Sequence, residues 1–149
     1  MGAHAFKGSF VAVLAGLAIV ATPALSSAGV KSFMVVINGA QETPPNPSTA
    51  IGNGILTYDT GTKTLCYSVS YIGALAGPEI LAHIHGPAAP GVPAGIILPL
   101  PLGSPKTACV VNPALPFDKA DLLKNRYYVN IHSGAFPAGE IRGQIFRIK

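Results

Sequence analysis

The sequence contains no tryptophan, and only 11 % of its 149 residues carry a charge. A glycosidase would need aromatic platforms for sugars, so the missing tryptophan argues against that class. The basic residues are scattered and form no run interleaved with aromatics, which argues against a nucleic-acid partner. There is no GxSxG serine and no glycine-rich loop opening a helix. Nucleophilic hydrolysis and nucleotide binding therefore have no support.

Long apolar runs are also scarce, and the one present lies near the start of the chain at Phe10–Val20. Lys7 precedes it and the small residues Ser26–Ala28 follow it, which is the order found in a secretory signal. We predict that residues 1–28 are a signal peptide cleaved before Gly29, with an earlier small-residue site as a second candidate. The run is shorter than the ~20 residues that a membrane-spanning helix needs, although an uncleaved anchor remains the alternative. The mature protein is predicted to be periplasmic or secreted, without a membrane span.

There are only two cysteines, Cys66 and Cys109. Disulfides persist outside the cytoplasm, and an even cysteine count in an exported chain favours one bridge. The alternative is a pair of thiolate metal ligands, but neither residue lies in a CxxC or beside a histidine. The sequence predicts a structural disulfide.

What remains after the leader is a series of short apolar or alternating runs separated by Gly, Pro, Asn and Ser, with little helical periodicity. This pattern is typical of an all-β domain. The one helical stretch is 117–124, with Asp118 at its N-cap. The last two strands should form an antiparallel hairpin. The predicted strands are 32–38, 54–58, 65–72, 80–85, 95–100, 109–111, 126–132 and 139–147, which together suggest a β-sandwich.

Three histidines follow the leader: His83 and His85 in "AHIHG", and His132 at the end of a later strand. On a strand, residues two apart leave the same face, so both rings of the HxH pair can reach one metal ion, and His132 is the candidate third ligand. Three neutral imidazoles suit copper and zinc, and copper is favoured when both are present. The alternative is that the histidines bond to loop carbonyls and are purely structural.

Other polar residues surround these candidates. Asn130 shares a strand face with His132, and Glu140 and Arg142 lie on the partner strand of the predicted hairpin. Glu42 or Glu140 is a candidate oxygen ligand, while Glu140 could instead pair with Arg142 or orient a histidine. Because protonated imidazole cannot coordinate, binding is predicted to weaken as the pH falls through roughly 6 to 6.5.

Three motifs in order, "NGAQETPP" at 38–45, "AHIHGPA" at 82–88 and "YYVNIHSGAFPAGEIRGQI" at 127–145, resemble the CHRD domain named after chordin. The resemblance extends over about 32–147, so 29–149 is assigned as one CHRD domain. It implies an antiparallel, Greek-key-type β-sandwich similar to immunoglobulin or superoxide dismutase domains. The positions that match the family's motifs are Glu42, His83, His85, His132, Glu140, Arg142 and Gln144.

Two functions follow from these observations. The first is an exported, non-catalytic protein that binds copper or zinc through the three histidines. Superoxide dismutase activity is not expected, because three histidines cannot supply the copper and zinc ligands together with a bridging histidine. The second is an extracellular interaction or structural module without a metal, as the chordin repeats suggest; the sequence does not identify its protein partner.

Overall fold

The computed structural model describes residues 1–2, 29–114 and 116–149, so nearly all of the predicted signal segment, 1–28, lies outside the described residues. All eight predicted strands are present, and the all-β fold class is confirmed. Their bounds are β1 Val30–Asn38, β2 Ile51–Asp59, β3 Thr64–Ile72, β4 Glu79–His85, β5 Ile96–Pro99, β6 Lys106–Val111, β7 Tyr128–Ser133 and β8 Ile141–Arg147. A 3-10 turn, Gly39–Gln41, follows β1, and the short helix α1, Lys119–Leu123, precedes β7.

The strands form one antiparallel sheet in the order β5-β4-β7-β8-β1-β2-β3-β6. Connections β3–β4, β5–β6 and β6–β7 each cross from one half of this sheet to the other, as in Greek-key folds. The inward side chains of both halves belong to a single buried cluster, which includes Val35, Leu65, Ile84 and Ile131. The sheet therefore curls until its two halves pack face to face around one core, as in a sandwich.

Alternating side chains explain how β1 to β3 contribute to that core. Phe33, Val35 and Ile37 point inward and are at most 1 % exposed, whereas their neighbours Met34 and Val36 are about half exposed on the other side. The period of two in the sequence thus sets which side of the sheet is buried.

The start of β2 differs from the prediction, because the strand begins at Ile51 and not at Gly54. Ile51 pairs with both Asn38 and Ile72. A Cβ atom at Gly52 would lie 2.3 Å from the Ser70 carbonyl oxygen. Gly52 is therefore a position of close backbone approach and not a loop residue.

The start of β6 also differs, since the strand begins at Lys106 and not near Cys109. The Lys106 side chain is fully buried, and its ammonium forms an ion pair with Glu79. It also donates to the carbonyl oxygens of Pro101, at 3.1 Å, and Gly103, at 2.6 Å. A lysine following proline gives no strand signal, so the sequence alone did not reveal this buried cation.

Cys66 and Cys109 occupy directly paired positions of β3 and β6, and their sulfurs are 2.01 Å apart. This bonding distance agrees with the predicted bridge. At α1, the Asp118 side chain accepts a hydrogen bond from the Ala120 amide at 2.6 Å, which is the predicted N-cap. No helix within the described ranges is long and apolar enough to cross a membrane.

We expect both thiols to be protected from alkylation in the native protein under non-reducing conditions, because Cys66 and Cys109 occupy paired positions of β3 and β6 and disulfides persist outside the cytoplasm. Intact-mass analysis after treatment with an alkylating agent measures this directly. Prior reduction is the positive control. Two freely alkylated thiols in the native protein would restore the thiolate-ligand interpretation.

Candidate metal centre

Three histidines meet on the side of the sheet that faces away from the core. His83 and His85 leave one face of β4, while Ala82 and Ile84 leave the other and join the core. β7 is the neighbouring strand, and it pairs antiparallel with β4 so that His132 lies opposite Leu81. The period of two and this register together place all three imidazoles in one group, as the sequence predicted.

One pair of ring nitrogens already has the separation of two ligands around one ion. One nitrogen from each of the three rings can be chosen so that all lie within 4.8 Å of one another. His83 Nδ1 and His132 Nε2 are 3.3 Å apart. Two imidazole nitrogens at about 2.0 to 2.1 Å from a tetrahedral ion are themselves roughly 3.3 Å apart. In a tetrahedral site, the third nitrogen would also have to lie roughly 3.3 Å from each of these two.

Backbone carbonyls fix the protonation of two of these rings. His85 Nδ1 lies 3.0 Å from the Ala94 carbonyl oxygen, and His132 Nδ1 lies 3.1 Å from that of Pro137. A carbonyl oxygen only accepts, so each Nδ1 carries the hydrogen and each Nε2 presents a lone pair. This is how ligating histidines are commonly oriented in proteins. Carbonyl groups of the loops β4–β5 and β7–β8 thus leave the lone pair of each ring on Nε2.

The histidines are held in the neutral form that coordination requires. Each is only 6 to 9 % exposed. Burial lowers the pKa of all three imidazoles below the usual value, because the charged form loses its hydration. The neighbouring rings lower the pKa of His83 further, and Arg142 does the same for His85. At neutral pH no proton has to leave before a metal ion binds.

These lowered pKa values shift the predicted pH dependence. We expect metal affinity to persist as the pH falls through 6.5 and to weaken only below it, because the folded imidazoles take up protons at lower pH than free histidine. By the same linkage, the unfolded chain binds protons first, so these histidines should make the metal-free protein less stable as the pH drops below about 6.5. Metal titrations from pH 7.5 to 5 check the first point; half-loss of affinity above pH 6.5 would contradict it.

Glu42 follows the 3-10 turn after β1 and is not part of the histidine group. Burial raises the pKa of this carboxyl to about 7, although the attraction of Arg142 acts in the opposite direction. Glu42 Oε1 and Asn130 Oδ1 have no hydrogen-bond partner. Gly139 has a φ of +140°, and a Cβ atom there would lie 2.7 Å from Asn130 Oδ1 and 2.8 Å from Glu42 Oε1, so a larger residue would be strained and would displace these side chains.

Glu140 plays a different part from those considered for it. Its side chain is fully buried, and Oε1 accepts from the Ser48 hydroxyl at 2.7 Å and from the Ala76 amide at 2.8 Å. It lies outside the three-histidine group and, in the described part of the chain, forms no ion pair with Arg142. Glu140 therefore ties two loops to the start of β8.

Tyr128 links the histidines to Arg142. Its ring stacks on His85 at 5.1 Å between centroids, and the Arg142 guanidinium lies 3.6 Å from the ring centroid. Arg142 also donates to the Val92 carbonyl at 2.8 Å. Gln144, the remaining motif position, donates to the carbonyl oxygens of Ala88 and Asn125. Arg142 and Gln144 therefore hydrogen-bond to the β4–β5 loop and to the turn before β7. Both residues lie on the same side of the sheet as the histidines, which we call the polar face.

Several contributors were missed by sequence reasoning. The carbonyl groups of Ala94 and Pro137 carry no side-chain signal, because every residue has a carbonyl. Ser48 as the partner of Glu140 depends on a contact across 92 positions. The position of Tyr128 between His85 on β4 and Arg142 on β8 follows only from the strand order.

The model of the CHRD domain family matches residues 33–145. The chain belongs to the CHRD domain family. The matched span contains all three histidines together with Glu42, Asn130 and Arg142, so the polar face lies within the family's domain. Comparisons with curated proteins and with solved structures gave no match.

Proposed function

We propose that this CHRD domain is an exported protein that binds one divalent metal ion through His83, His85 and His132. The observation that carries the proposal is the convergence of three neutral imidazoles, two of them oriented by carbonyls so that Nε2 is the free nitrogen. Such a set is a ligand arrangement for copper or zinc.

The hydrogen-bond balance of the polar face supports a cation. In the described part of the chain, the buried side-chain atoms without a hydrogen-bond partner are all acceptors. They are Glu42 Oε1, His85 Nε2, Asn130 Oδ1, Glu140 Oε2 and Gln144 Oε1. A buried polar atom left unpaired costs about 1 to 3 kcal/mol. A bound cation would satisfy His85 Nε2 directly.

We propose copper as the favoured ion and zinc as the alternative. The group offers nitrogen ligands without thiolate, since the two cysteines are bonded to each other. Copper(II) binds such donors more tightly than zinc does. Three imidazoles leave a fourth position for water. Because the imidazoles are buried under loops, a role in holding or carrying the ion is favoured over turnover of a substrate.

The export part of the proposal rests on two observations. The order of charge, apolar run and small residues in 1–28 is that of a secretory signal. The cysteine pair at bonding distance is of the kind that persists in an oxidising compartment. A periplasmic or secreted location satisfies both.

The second candidate is a metal-free structural or interaction module. It is favoured by the 3.3 Å contact of His83 Nδ1 and His132 Nε2, which is also within hydrogen-bond distance. With the bonds to Ala94 and Pro137, this contact would make a network that fixes the loops. The metal-free network leaves His85 Nε2 without a partner.

Calorimetric titration of the untagged protein with copper and zinc separates the two candidates. We expect one ion per chain with a dissociation constant below about 10 μM. His83→Ala and His132→Ala should each weaken binding strongly, because each removes one of three ligands. Circular dichroism establishes that both variants are folded.

Glu140→Gln is the matched control, since it changes a buried polar residue near the site that lies outside the histidine group. It should leave the metal affinity within about twofold of the wild type. If the wild type binds neither ion below about 10 μM, or if the folded histidine variants bind equally well, the structural-module candidate replaces the metal protein.

A further inference from the structure

The outward side of β1, β2 and β3, with the end of β8, is an exposed apolar surface that the metal site does not use. We call it the outer face. Its apolar members are between 45 and 71 % exposed, and they are Met34, Val36, Ile51, Ile55, Ile72 and Phe146. The other outward positions from Ser32 to Asn38, Ile51 to Thr57 and Cys66 to Ile72 are serine, threonine, asparagine or a bonded cysteine. This part of the surface therefore carries no charge.

The strand register brings the apolar side chains together. Met34 pairs with Ile55 on one side and with Phe146 on the other, so these three form a ridge across the sheet. A depression of about 410 Å³ lies on one side of this ridge, lined by Val36, Ile51 and the backbone of Gly52. A second, of about 270 Å³, lies on the other side beside Ile55 and Thr57. The outer face therefore has a ridge with a depression on either side of it.

We propose that the outer face is the interface of a symmetric dimer, in which a second copy of this chain packs sheet against sheet. A two-fold axis brings the same surface of both copies together, so the ridge of one copy can enter a depression of the other. Because the interior of the face is uncharged, two copies of this basic protein meet without like-charge repulsion there. Aligned packing of two sheets is a common solution for such surfaces.

The size of the face is near what this occupant needs. The face continues onto the neighbouring strand β6, whose outward residues Thr107, Cys109 and Val111 are exposed and uncharged. Five strands at about 4.8 Å spacing and seven residues at about 3.3 Å rise give a flat area of roughly 550 Å² per copy, and the projecting side chains raise the accessible area above that value. A specific interface buries about 800 Å² on each partner, whereas larger apolar patches are uncommon on monomers. A lipid surface is a poorer match, because the face lacks the basic residues and the tryptophan or tyrosine side chains that bind headgroups.

Sedimentation equilibrium of the untagged exported protein tests the proposal, with a chelator present so that no metal bridges the copies. Between about 1 μM and 1 mM, the wild type should approach twice the chain mass. Met34→Lys and Ile55→Lys each place a charge in the centre of the interface, and each should weaken association at least about tenfold. Ile96→Lys, equally exposed on β5 and away from the outer face, should associate like the wild type.

A wild type that stays monomeric up to about 1 mM overturns the proposal, including when it then binds lipid vesicles. A dimer that persists in both folded lysine variants also overturns it, because association would then use another surface. If either variant fails to fold by circular dichroism, Val36→Lys replaces it as a second exposed position of the same face.

Discussion

Replacing His85 by phenylalanine is expected to weaken copper and zinc binding at least about 100-fold while leaving the stability of the metal-free protein within about 1 kcal/mol of the wild type. The phenyl ring keeps the stacking on Tyr128 and removes the unpartnered Nε2 atom. It also loses the bond to Ala94, whose carbonyl still lies near the Tyr128 hydroxyl. The free energy of unfolding should rise because the unpartnered Nε2 atom is removed, and it should fall by a similar amount because one hydrogen bond is lost.

The measurement is chemical denaturation at neutral pH with and without metal. At a free metal concentration about 100 times the dissociation constant, the wild type should gain about 2.7 kcal/mol, and His85→Phe should gain almost nothing. Tyr128→Phe is the control, since it keeps the ring and every imidazole, and it should retain the metal-dependent gain. Equal gains in the wild type and in His85→Phe would remove His85 from the ligand set.

Replacing Lys106 by methionine is expected to lower the free energy of unfolding by about 3 to 5 kcal/mol. The ammonium group is fully buried, and Glu79 is its ion-pair partner. Without it, the Glu79 carboxylate keeps only the Tyr71 hydroxyl and the Gly103 amide, both at 3.0 Å. Two carbonyl acceptors, Pro101 and Gly103, lose their donor as well. Urea denaturation measures the difference.

A double-variant cycle identifies the source of that loss. If an uncompensated carboxylate dominates, the double variant Glu79→Gln/Lys106→Met should be more stable than Lys106→Met alone, because the buried negative charge is gone. Lys124→Met, at an exposed position, should change stability by less than about 0.5 kcal/mol. A Lys106→Met variant as stable as the wild type would contradict the structural role of the buried pair.

Local patterns were sufficient for most of the fold. The alternation along 65–72 and the apolar runs elsewhere located all eight strands, because each strand buries one side. The prediction failed where long-range contacts decide the outcome. Gly52 has the residue type of a loop, and only the pairing with β3 brings the Ser70 carbonyl close to it. Lys106 has the residue type of a surface position, and only the fold places Glu79 from β4 beside it.

The same distinction applies to the candidate site. The spacing of two residues predicts that His83 and His85 share a face, and the predicted hairpin brings His132 near Arg142. That β4 lies beside β7, and so brings the HxH pair to His132, follows only from the strand order β4-β7-β8. Residue type alone makes both glutamates candidate oxygen ligands, and that stays a prediction. Their neighbours in the structure, Asn130 beside Glu42 and Ser48 and Ala76 beside Glu140, depend on how the loops fold over the sheet.

Metal-edge X-ray absorption of the loaded wild type, compared with loaded His132→Ala, tests the three-histidine centre most directly. We expect three imidazole nitrogens at about 2.0 to 2.1 Å, an oxygen ligand in the remaining position and no sulfur. His132→Ala should lose one imidazole from the scattering pattern at a metal concentration high enough to load it. One imidazole or none in the wild type, or an unchanged pattern in the folded variant, would contradict the assignment of these histidines as the metal ligands.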